Sequence, residues 1–139
     1  MSKVVVVDAD ALIALMLEDD PHYKIAVATA SLLTKQLVTT VFPMTVFPEA
    51  LTTLKRAFNQ PEKAHLINRQ YLQGAFHVEY ITQEIMKRAS EIFEKAGSKK
   101  NTLFDAIVAA AAETLEADAI FSFDSWYRKL GFKLATDLI

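Results

Sequence analysis

Cysteine is absent from this chain of 139 residues, and histidine is scarce. The lack of cysteine excludes disulfide bonds, thiolate catalysis and cysteine-ligated zinc. The three histidines, His22, His65 and His77, show neither H-E-x-x-H nor H-x-H spacing. We therefore interpret them as surface or internally hydrogen-bonded side chains rather than as a ligand cluster. Any metal site in this chain would depend on oxygen ligands.

Long hydrophobic runs are missing as well. No apolar stretch approaches the ~20 residues needed to cross a bilayer. The N-terminus does not have the pattern of a signal peptide, because Asp8 interrupts the valines that follow Lys3. We therefore expect a cytoplasmic protein. With only three glycines, four prolines and no low-complexity tract, the chain shows no linker, and its length predicts a single domain over residues 1–139.

Excess charge of either sign is also lacking. The formal net charge is −2 and the isoelectric point is about 5.9, so nucleic acid would not bind this chain through bulk positive charge. A local basic rim around an acidic centre is still compatible with this balance. The hydrophobic content of 52% predicts a well-filled core and excludes a disordered chain.

Short apolar segments alternate with longer segments of helical periodicity. The predicted strands are residues 3–7, 37–41, 76–81 and 119–123, with 132–135 as a candidate fifth strand. The predicted helices are residues 11–17, 22–34, 46–58, 61–73, 82–96, 102–117 and 125–130. This alternation predicts an α/β fold with helices on both faces of the sheet. The fold class is therefore a three-layer α/β/α sandwich around a central, mostly parallel sheet of four to five strands.

Four carboxylates lie at the ends of these segments. Asp8 and Asp124 follow predicted strands, whereas Glu49 and Asp105 lie in the first turns of predicted helices. Because sites in parallel sheets form beyond the carboxyl ends of the strands, all four could point into one crevice. Carboxylates so close together repel one another, and a divalent cation removes that penalty. An all-oxygen set suits Mg²⁺ or Mn²⁺, so the pattern predicts a metal-dependent hydrolase.

The individual carboxylates also have purely structural explanations. Asp10 is well placed to cap the helix at residues 11–17, which would stabilise it by about 1 kcal/mol. Glu49 is favoured by the dipole of its helix, and Asp105 would complete a capping box with Thr102. Helix capping and helix dipoles do not explain why all four acids are expected at one edge of the sheet, which favours a metal site.

Four sequence motifs carry a resemblance to a known family. They are Val-Val-Val-Asp8-Ala-Asp-Ala-Leu-Ile-Ala-Leu, Phe-Pro-Glu49-Ala-Leu, Leu-Phe-Asp105-Ala-Ile-Val-Ala-Ala-Ala and Ala-Asp-Ala-Ile-Phe-Ser-Phe-Asp124. In this order, with a step of 19 positions from Asp105 to Asp124, they resemble the acidic motifs of PIN domains. The resemblance extends from Val4 to about Gly131 and depends on the combination rather than on any single motif.

The resemblance implies a compact α/β/α nuclease fold. Family members of this size are mostly VapC-type toxin ribonucleases, which hydrolyse RNA phosphodiesters with Mg²⁺ or Mn²⁺, often form homodimers and are typically blocked by a small antitoxin protein. It also implies that Asp8, Glu49, Asp105 and Asp124 are the catalytic and metal-binding residues. Ser122 matches a hydroxyl residue that would support the site. Asp10 departs from the small polar residue that is frequent there, and is a candidate additional ligand.

An RNA substrate would require positive contacts near these motifs. The candidate phosphate-contacting residues are Lys99, Lys100, Arg128 and Lys129. The alternative is that they are ordinary solvated charges. Trp126 and Tyr127 could stack on a base, or could instead pack their short helix against the core.

Two other functions are compatible with the sequence. Val-Val-Val-Val-Asp8-Ala-Asp10 resembles the first motif of haloacid-dehalogenase-type phosphatases, with Asp8 as nucleophile and Asp10 as acid/base. However, Ala11-Leu12 stands where Gly-Thr or a similar pair is expected, and a late paired acid motif is missing. The other alternative is a non-enzymatic PIN-fold module that binds a partner through the apolar stretch 41–47. The presence of all four acids argues against it.

Overall fold

Four parallel strands form the sheet that carries the site. The structure is a computed structural model, and it describes residues 3–138. Its strands are β1 (Val4–Val7), β2 (Thr39–Pro43), β3 (Val78–Glu79) and β4 (Ala119–Phe121). They lie in the order β3–β2–β1–β4, and each pairing is parallel. β1 is therefore a central strand with hydrogen-bonded neighbours on both sides.

Helices occupy both faces of this sheet. They are α1 (Ala9–Met16), α2 (Tyr23–Lys35), α3 (Val46–Arg56), α4 (Pro61–Leu72), α5 (Gln83–Lys95), α6 (Leu103–Thr114) and α7 (Trp126–Lys129), followed by a 3₁₀ turn at Ala135–Leu138. Within residues 3–138, no helix has both the length and the apolar character needed to cross a membrane.

Alternate valines of β1 feed two separate cores. Val6 packs with residues from α3 to α6, whereas Val5 and Val7 pack with α2 and the 3₁₀ turn. This division follows from the strand, because successive side chains point to opposite faces of a sheet. All three valines are at most 2% exposed, as expected of a parallel strand that is covered on both faces. The predicted α/β/α sandwich with a parallel sheet is confirmed, with four strands.

The start of α1 differs from the prediction. Its N-cap is Asp8, whose carboxylate accepts a hydrogen bond from the Ala9 amide at 2.7 Å. The prediction that Asp10 caps this helix is therefore wrong, and Asp10 lies within the first turn instead. The cap frees Asp10 for a partner elsewhere in the fold.

Strand boundaries also differ from the prediction. The candidate fifth strand, 132–135, makes a single parallel bridge between Ile120 and Leu134. It ends there because the Asp137 carboxylate accepts the Leu134 amide hydrogen bond at 3.0 Å and holds the chain in the 3₁₀ turn. β4 ends at Phe121, so Asp124 lies in the turn after the strand rather than directly at its end. The third predicted strand, 76–81, is observed only as the two residues of β3, Val78–Glu79.

The apolar stretch 41–47 belongs mainly to the core. Val41, Val46 and Phe47 are buried, whereas Met44 is exposed. The burial of most of its large side chains agrees with the ordinary core explanation of this stretch.

α6 is buried along most of its length. Its seven residues from Ala106 to Ala112 are all buried, and five of them are alanines. α5 packs against this helix, and the small side chains allow the two helices to lie close together. Because α6 carries Asp105 in its first turn, its packing determines how deeply that carboxylate lies.

Enlarging a side chain in α6 should destabilise the fold. We expect Ala109→Leu to lower the free energy of unfolding by about 1–3 kcal/mol, because the added carbons must displace packed neighbours. The matched control is Thr114→Leu, at an exposed position of the same helix, which should change that free energy by less than about 0.5 kcal/mol. Urea unfolding followed by circular dichroism measures both. Equal effects at the two positions would contradict the packing described here.

Candidate active site

Five carboxylates line one open cleft beyond the carboxyl ends of β1 and β4. The cleft has a volume of about 240 Å³, and its lining residues are Asp8, Ala9, Asp10, Glu49, Lys100, Thr102, Asp105 and Asp124. We call it the acidic cleft. The structure thus brings together the four predicted site residues and Asp10, although they come from four separate segments of the chain.

Asp8 is the most deeply buried of these acids, with 4% of its surface exposed. Each of its oxygens accepts a hydrogen bond: Oδ1 from the Ala9 amide at 2.7 Å and Oδ2 from the Tyr127 hydroxyl at 2.7 Å. Burial raises the pKa of Asp8 well above its ordinary value, and the charge of Asp10 raises it further, while the Tyr127 hydrogen bond opposes the shift. Two hydrogen bonds therefore hold this carboxylate in a buried position, where its ionised form is disfavoured.

Asp10 is held by the segment that follows β4. Its Oδ2 accepts hydrogen bonds from the Ser122 hydroxyl at 3.0 Å and the Phe123 amide at 2.8 Å. Its Oδ1 is buried and has no hydrogen-bond partner within the described part of the chain. Burial raises the pKa of Asp10, and nearby donors, chiefly the Phe123 amide and the Ser122 hydroxyl, lower it in part. An unsatisfied buried acceptor costs about 1–3 kcal/mol, so a water molecule or a cation beside this oxygen would stabilise it.

Ser122 lies where a hydroxyl was expected to support the site. Besides donating to Asp10, its Oγ accepts a hydrogen bond from the Asp124 amide at 3.1 Å. One fully buried hydroxyl thus connects two of the acids.

Asp105 and Asp124 share a donor that the sequence pattern did not reveal. The Asn101 side-chain amide donates to Asp124 Oδ2 at 2.9 Å, with Asp105 Oδ2 at a longer 3.4 Å. Asp105 also accepts from the Thr102 amide at 3.0 Å, which completes the predicted capping box. Burial is the main cause that raises the pKa of Asp105. The available signal in the sequence was an asparagine in the polar loop directly before the capping residue Thr102.

Glu49 enters the acidic cleft from the first turn of α3. It is half-buried, and burial raises its pKa to about 7, with further contributions from the charges of Asp105 and Asp10. A carboxylate with such a pKa exchanges a proton near neutral pH, which is what general acid–base chemistry requires.

A protein-family model described as the PIN domain matches residues 5–133 of this chain. This chain belongs to the PIN-domain family. All five acids of the acidic cleft lie inside the matched range. A search of curated proteins gives no match.

Solved structures share the fold of this PIN domain at low sequence identity. The first is Mycobacterium tuberculosis VapC20, described as a sarcin-ricin loop cleaving toxin, with a TM-score of 0.79 and 20% identity over 92% of this chain and 95% of that one. A toxin–antitoxin complex from Klebsiella pneumoniae gives a TM-score of 0.60 and 17% identity, covering 87% of each chain. VapBC2 from Rickettsia felis, bound to a promoter DNA fragment, gives a TM-score of 0.66 and 12% identity, covering 94% of this chain and 96% of that one. At these identities the likeness shows the fold alone.

The donor chemistry of this PIN domain fits a divalent cation, although the side chains do not form a closed site. Within residues 3–138, no three acidic or histidine side chains stand close enough together to hold a metal ion. Asp10 Oδ1, which has no partner among the described residues, and the raised pKa values of Asp8 and Glu49 are nevertheless features that a cation would relieve. These features reflect charge and burial and do not depend on the exact spacing of the acids.

The candidate RNA contacts of the PIN domain are not equivalent. Lys100 lines the acidic cleft, whereas Lys99 and Lys129 are exposed and do not line it. Arg128 forms an exposed ion pair with Asp137, with Nε 3.1 Å from Oδ2.

The two aromatic residues considered for base stacking are buried instead. Trp126 and Tyr127 are 9% and 0% exposed, which agrees with the packing explanation. Tyr127 does reach the site, but through its hydroxyl. The available signal was that a buried tyrosine usually finds a hydrogen-bond partner, here one that lies 119 residues away along the chain.

The pKa of Glu49 predicts how the stability of the metal-free PIN domain depends on pH. Its folded-state pKa of about 7 lies above its ordinary 4.5, so the folded state binds the proton more tightly than the unfolded state. The stabilising effect of this proton is complete below about pH 4.5 and is lost as the pH rises through about 7. We expect the unfolding midpoint in EDTA to fall between about pH 5.5 and pH 8.

The Glu49→Gln variant is the control for this pH dependence, because it cannot titrate. Its unfolding midpoint in EDTA should vary less over the same pH range, as measured by thermal unfolding followed by circular dichroism. A midpoint that rises with pH in the wild type, or an unchanged slope in the variant, would show that Glu49 is not a source of the effect.

Proposed function

We propose that this PIN domain is a Mg²⁺- or Mn²⁺-dependent endoribonuclease that hydrolyses RNA phosphodiester bonds in the cytoplasm, as the toxin of a toxin–antitoxin pair. The observation that carries the proposal is the convergence of five carboxylates in one cleft, where a buried Asp10 oxygen has no hydrogen-bond partner among residues 3–138. Family membership supports it, as does the described activity of VapC20, a toxin of similar fold.

In this proposal the carboxylates divide the chemical work. Asp8, Glu49, Asp105 and Asp124 hold the metal, and Asp10 adds its unpaired Oδ1. When bound, Mg²⁺ or Mn²⁺ acidifies the attacking water and offsets the negative charge of the phosphate. One of these carboxylates would accept the proton of that water.

Substrate binding must overcome the acidity of the chain. With a net charge of −2 and five acids in the cleft, phosphate is attracted only through the metal and through local cations. Lys100 is the candidate best placed for this contact, since it lines the acidic cleft. Lys99, Arg128 and Lys129 would contribute only to the outer path of the RNA.

The proposed partners are a cognate antitoxin protein and a second copy of this chain. Support for the antitoxin comes from a structure of similar fold, from Klebsiella pneumoniae, that is described as a toxin–antitoxin complex. An antitoxin that covers the acidic cleft would keep the nuclease inactive. The homodimer is proposed from the family resemblance.

The two alternative functions are less well supported. A haloacid-dehalogenase-type phosphatase is disfavoured by membership in the PIN-domain family. A non-enzymatic PIN-fold module would leave five costly carboxylates without a use.

Removing one acid of the cleft tests the catalytic proposal. Purified wild type should cleave mixed RNA with Mn²⁺ and not with EDTA, and Asp8→Asn should lower the cleavage rate by about 100-fold or more. Loss of an outer partner of a metal ligand already costs roughly 10–100-fold, so loss of a ligand should cost at least as much. Asp19→Asn, which makes the same charge change in an exposed loop, should retain activity.

Gel electrophoresis of end-labelled RNA measures these rates. A wild type that is inert with Mn²⁺ would favour the non-enzymatic module, and cleavage that persists in EDTA would contradict metal dependence. A covalent aspartyl-phosphate trapped on Asp8 would establish the phosphatase instead.

Neighbouring lysines provide a matched test of the RNA contact. In the Asp8→Asn background, Lys100→Ala should weaken binding of single-stranded RNA regardless of sequence. It should also reduce the slope of log Kd against log salt by about 0.7, the value for one phosphate contact on a single strand. Lys99→Ala, which removes the same charge outside the cleft, should change the slope less. Fluorescence anisotropy at several salt concentrations measures both, and equal slopes for the two variants would rule out a specific contact by Lys100.

A further inference from the structure

Tyr127 is a buried side chain whose polar atom the mechanism above does not use. It is fully buried in α7, and its hydroxyl donates to Asp8 Oδ2 at 2.7 Å, with the Asp105 carbonyl oxygen at 3.4 Å. Phenylalanine would fill nearly the same volume without burying a hydroxyl, which costs free energy unless it is paired. The hydroxyl is therefore better explained by what it does to Asp8 than by packing.

The hydroxyl completes a pair of donors that fixes the Asp8 carboxylate. The Ala9 amide donates to one oxygen and Tyr127 to the other, both at 2.7 Å. Rotation of a carboxylate about its last bond is intrinsically broad, and a donor on each oxygen limits it. Without Tyr127, only the adjacent backbone amide would hold Asp8 in place.

The same segment also fixes Asp124. The Trp126 amide donates to Asp124 Oδ1 at 2.9 Å, and the Asp124 amide donates to the Ser122 hydroxyl at 3.1 Å. Tyr127 directly follows Trp126 along the chain, so one short segment bonds Asp124 through its backbone and Asp8 through a side chain.

We propose that Tyr127 is a positioning residue for the metal site: its hydroxyl holds the Asp8 carboxylate in the orientation in which Asp8 would bind a divalent cation. This inference rests on the proposed function, because it presumes that the acidic cleft binds a metal. Groups that hydrogen-bond to a metal ligand without touching the metal typically contribute about 10–100-fold to metal affinity. Tyr127 is such a group, because its hydroxyl donates to Asp8.

The direct test is Tyr127→Phe in the full chain, which removes only the hydroxyl. We expect its Kd for Mn²⁺ to be about 10–100-fold higher than that of the wild type, measured by calorimetry or by the electron paramagnetic resonance signal of free Mn²⁺. RNA cleavage should recover towards the wild-type rate at saturating Mn²⁺. Tyr80→Phe, at an exposed tyrosine, is the matched control and should leave the Kd unchanged.

The outcomes separate this inference from the proposed function. If the wild type binds Mn²⁺ and cleaves RNA while Tyr127→Phe binds Mn²⁺ within about threefold of it, the role of Tyr127 is refuted and the nuclease proposal stands. A lower unfolding midpoint with an unchanged Kd refutes that role equally, because it reveals a merely structural contribution. If the wild type neither binds Mn²⁺ nor cleaves RNA, both proposals fail.

A second measurement covers a variant that does not fold. Binding of Mg²⁺ to Asp8 in the wild type should weaken the hydrogen bond that the Tyr127 hydroxyl donates to this carboxylate. The near-ultraviolet absorption of Tyr127 should shift as a result. The shift should saturate together with metal binding and be absent from Asp8→Asn. A wild type that binds Mg²⁺ without this tyrosine difference spectrum would overturn the inference.

Discussion

The burial and mutual repulsion of carboxylates in one cleft are the constraint on which the rest of the site depends. Burial, and after it the neighbouring charges, raise the pKa values of Asp8 and Glu49, so the ionised cleft is unfavourable in the protein alone. The hydroxyls of Tyr127 and Ser122 and the amide of Asn101 stabilise the ionised forms through hydrogen bonds. What they leave uncompensated, above all the unpaired Asp10 Oδ1, corresponds to the charge that a divalent cation would neutralise.

The order of the strands explains why these acids meet at all. β1 lies beside β4, so the chain that leaves β1 with Asp8 and Asp10 passes next to the chain that leaves β4 towards Asp124. The alanine-rich α6 packs closely enough to bring Asp105 to the same edge, and α3 supplies Glu49 from the β2 side. The carboxyl ends of parallel strands lie at the same edge of a sheet, and here the five acids lie at that edge.

The parts of the site that depend on neighbours in sequence could be predicted, whereas the parts made by distant contacts could not. The capping box at Asp105 and the strand that precedes Asp8 are local, and the sequence indicates both. The choice of Asp8 over Asp10 as the cap of α1 could not be predicted, because two aspartates two positions apart satisfy the same local rule. What decides it is that Ser122, 112 residues away, engages Asp10. The hydrogen bond of Tyr127 escaped prediction for the same reason.

The central position of β1 has a consequence for local unfolding. Its backbone is bonded to strands on both sides, and the Asp8 amide itself continues the ladder by donating to the Phe121 carbonyl at 3.0 Å. β3, by contrast, is a two-residue strand at the outer edge of the sheet. Partial opening of a fold begins where few hydrogen bonds must break. The outer edge at β3 can therefore open and close while the end of β1 that carries Asp8 keeps its shape.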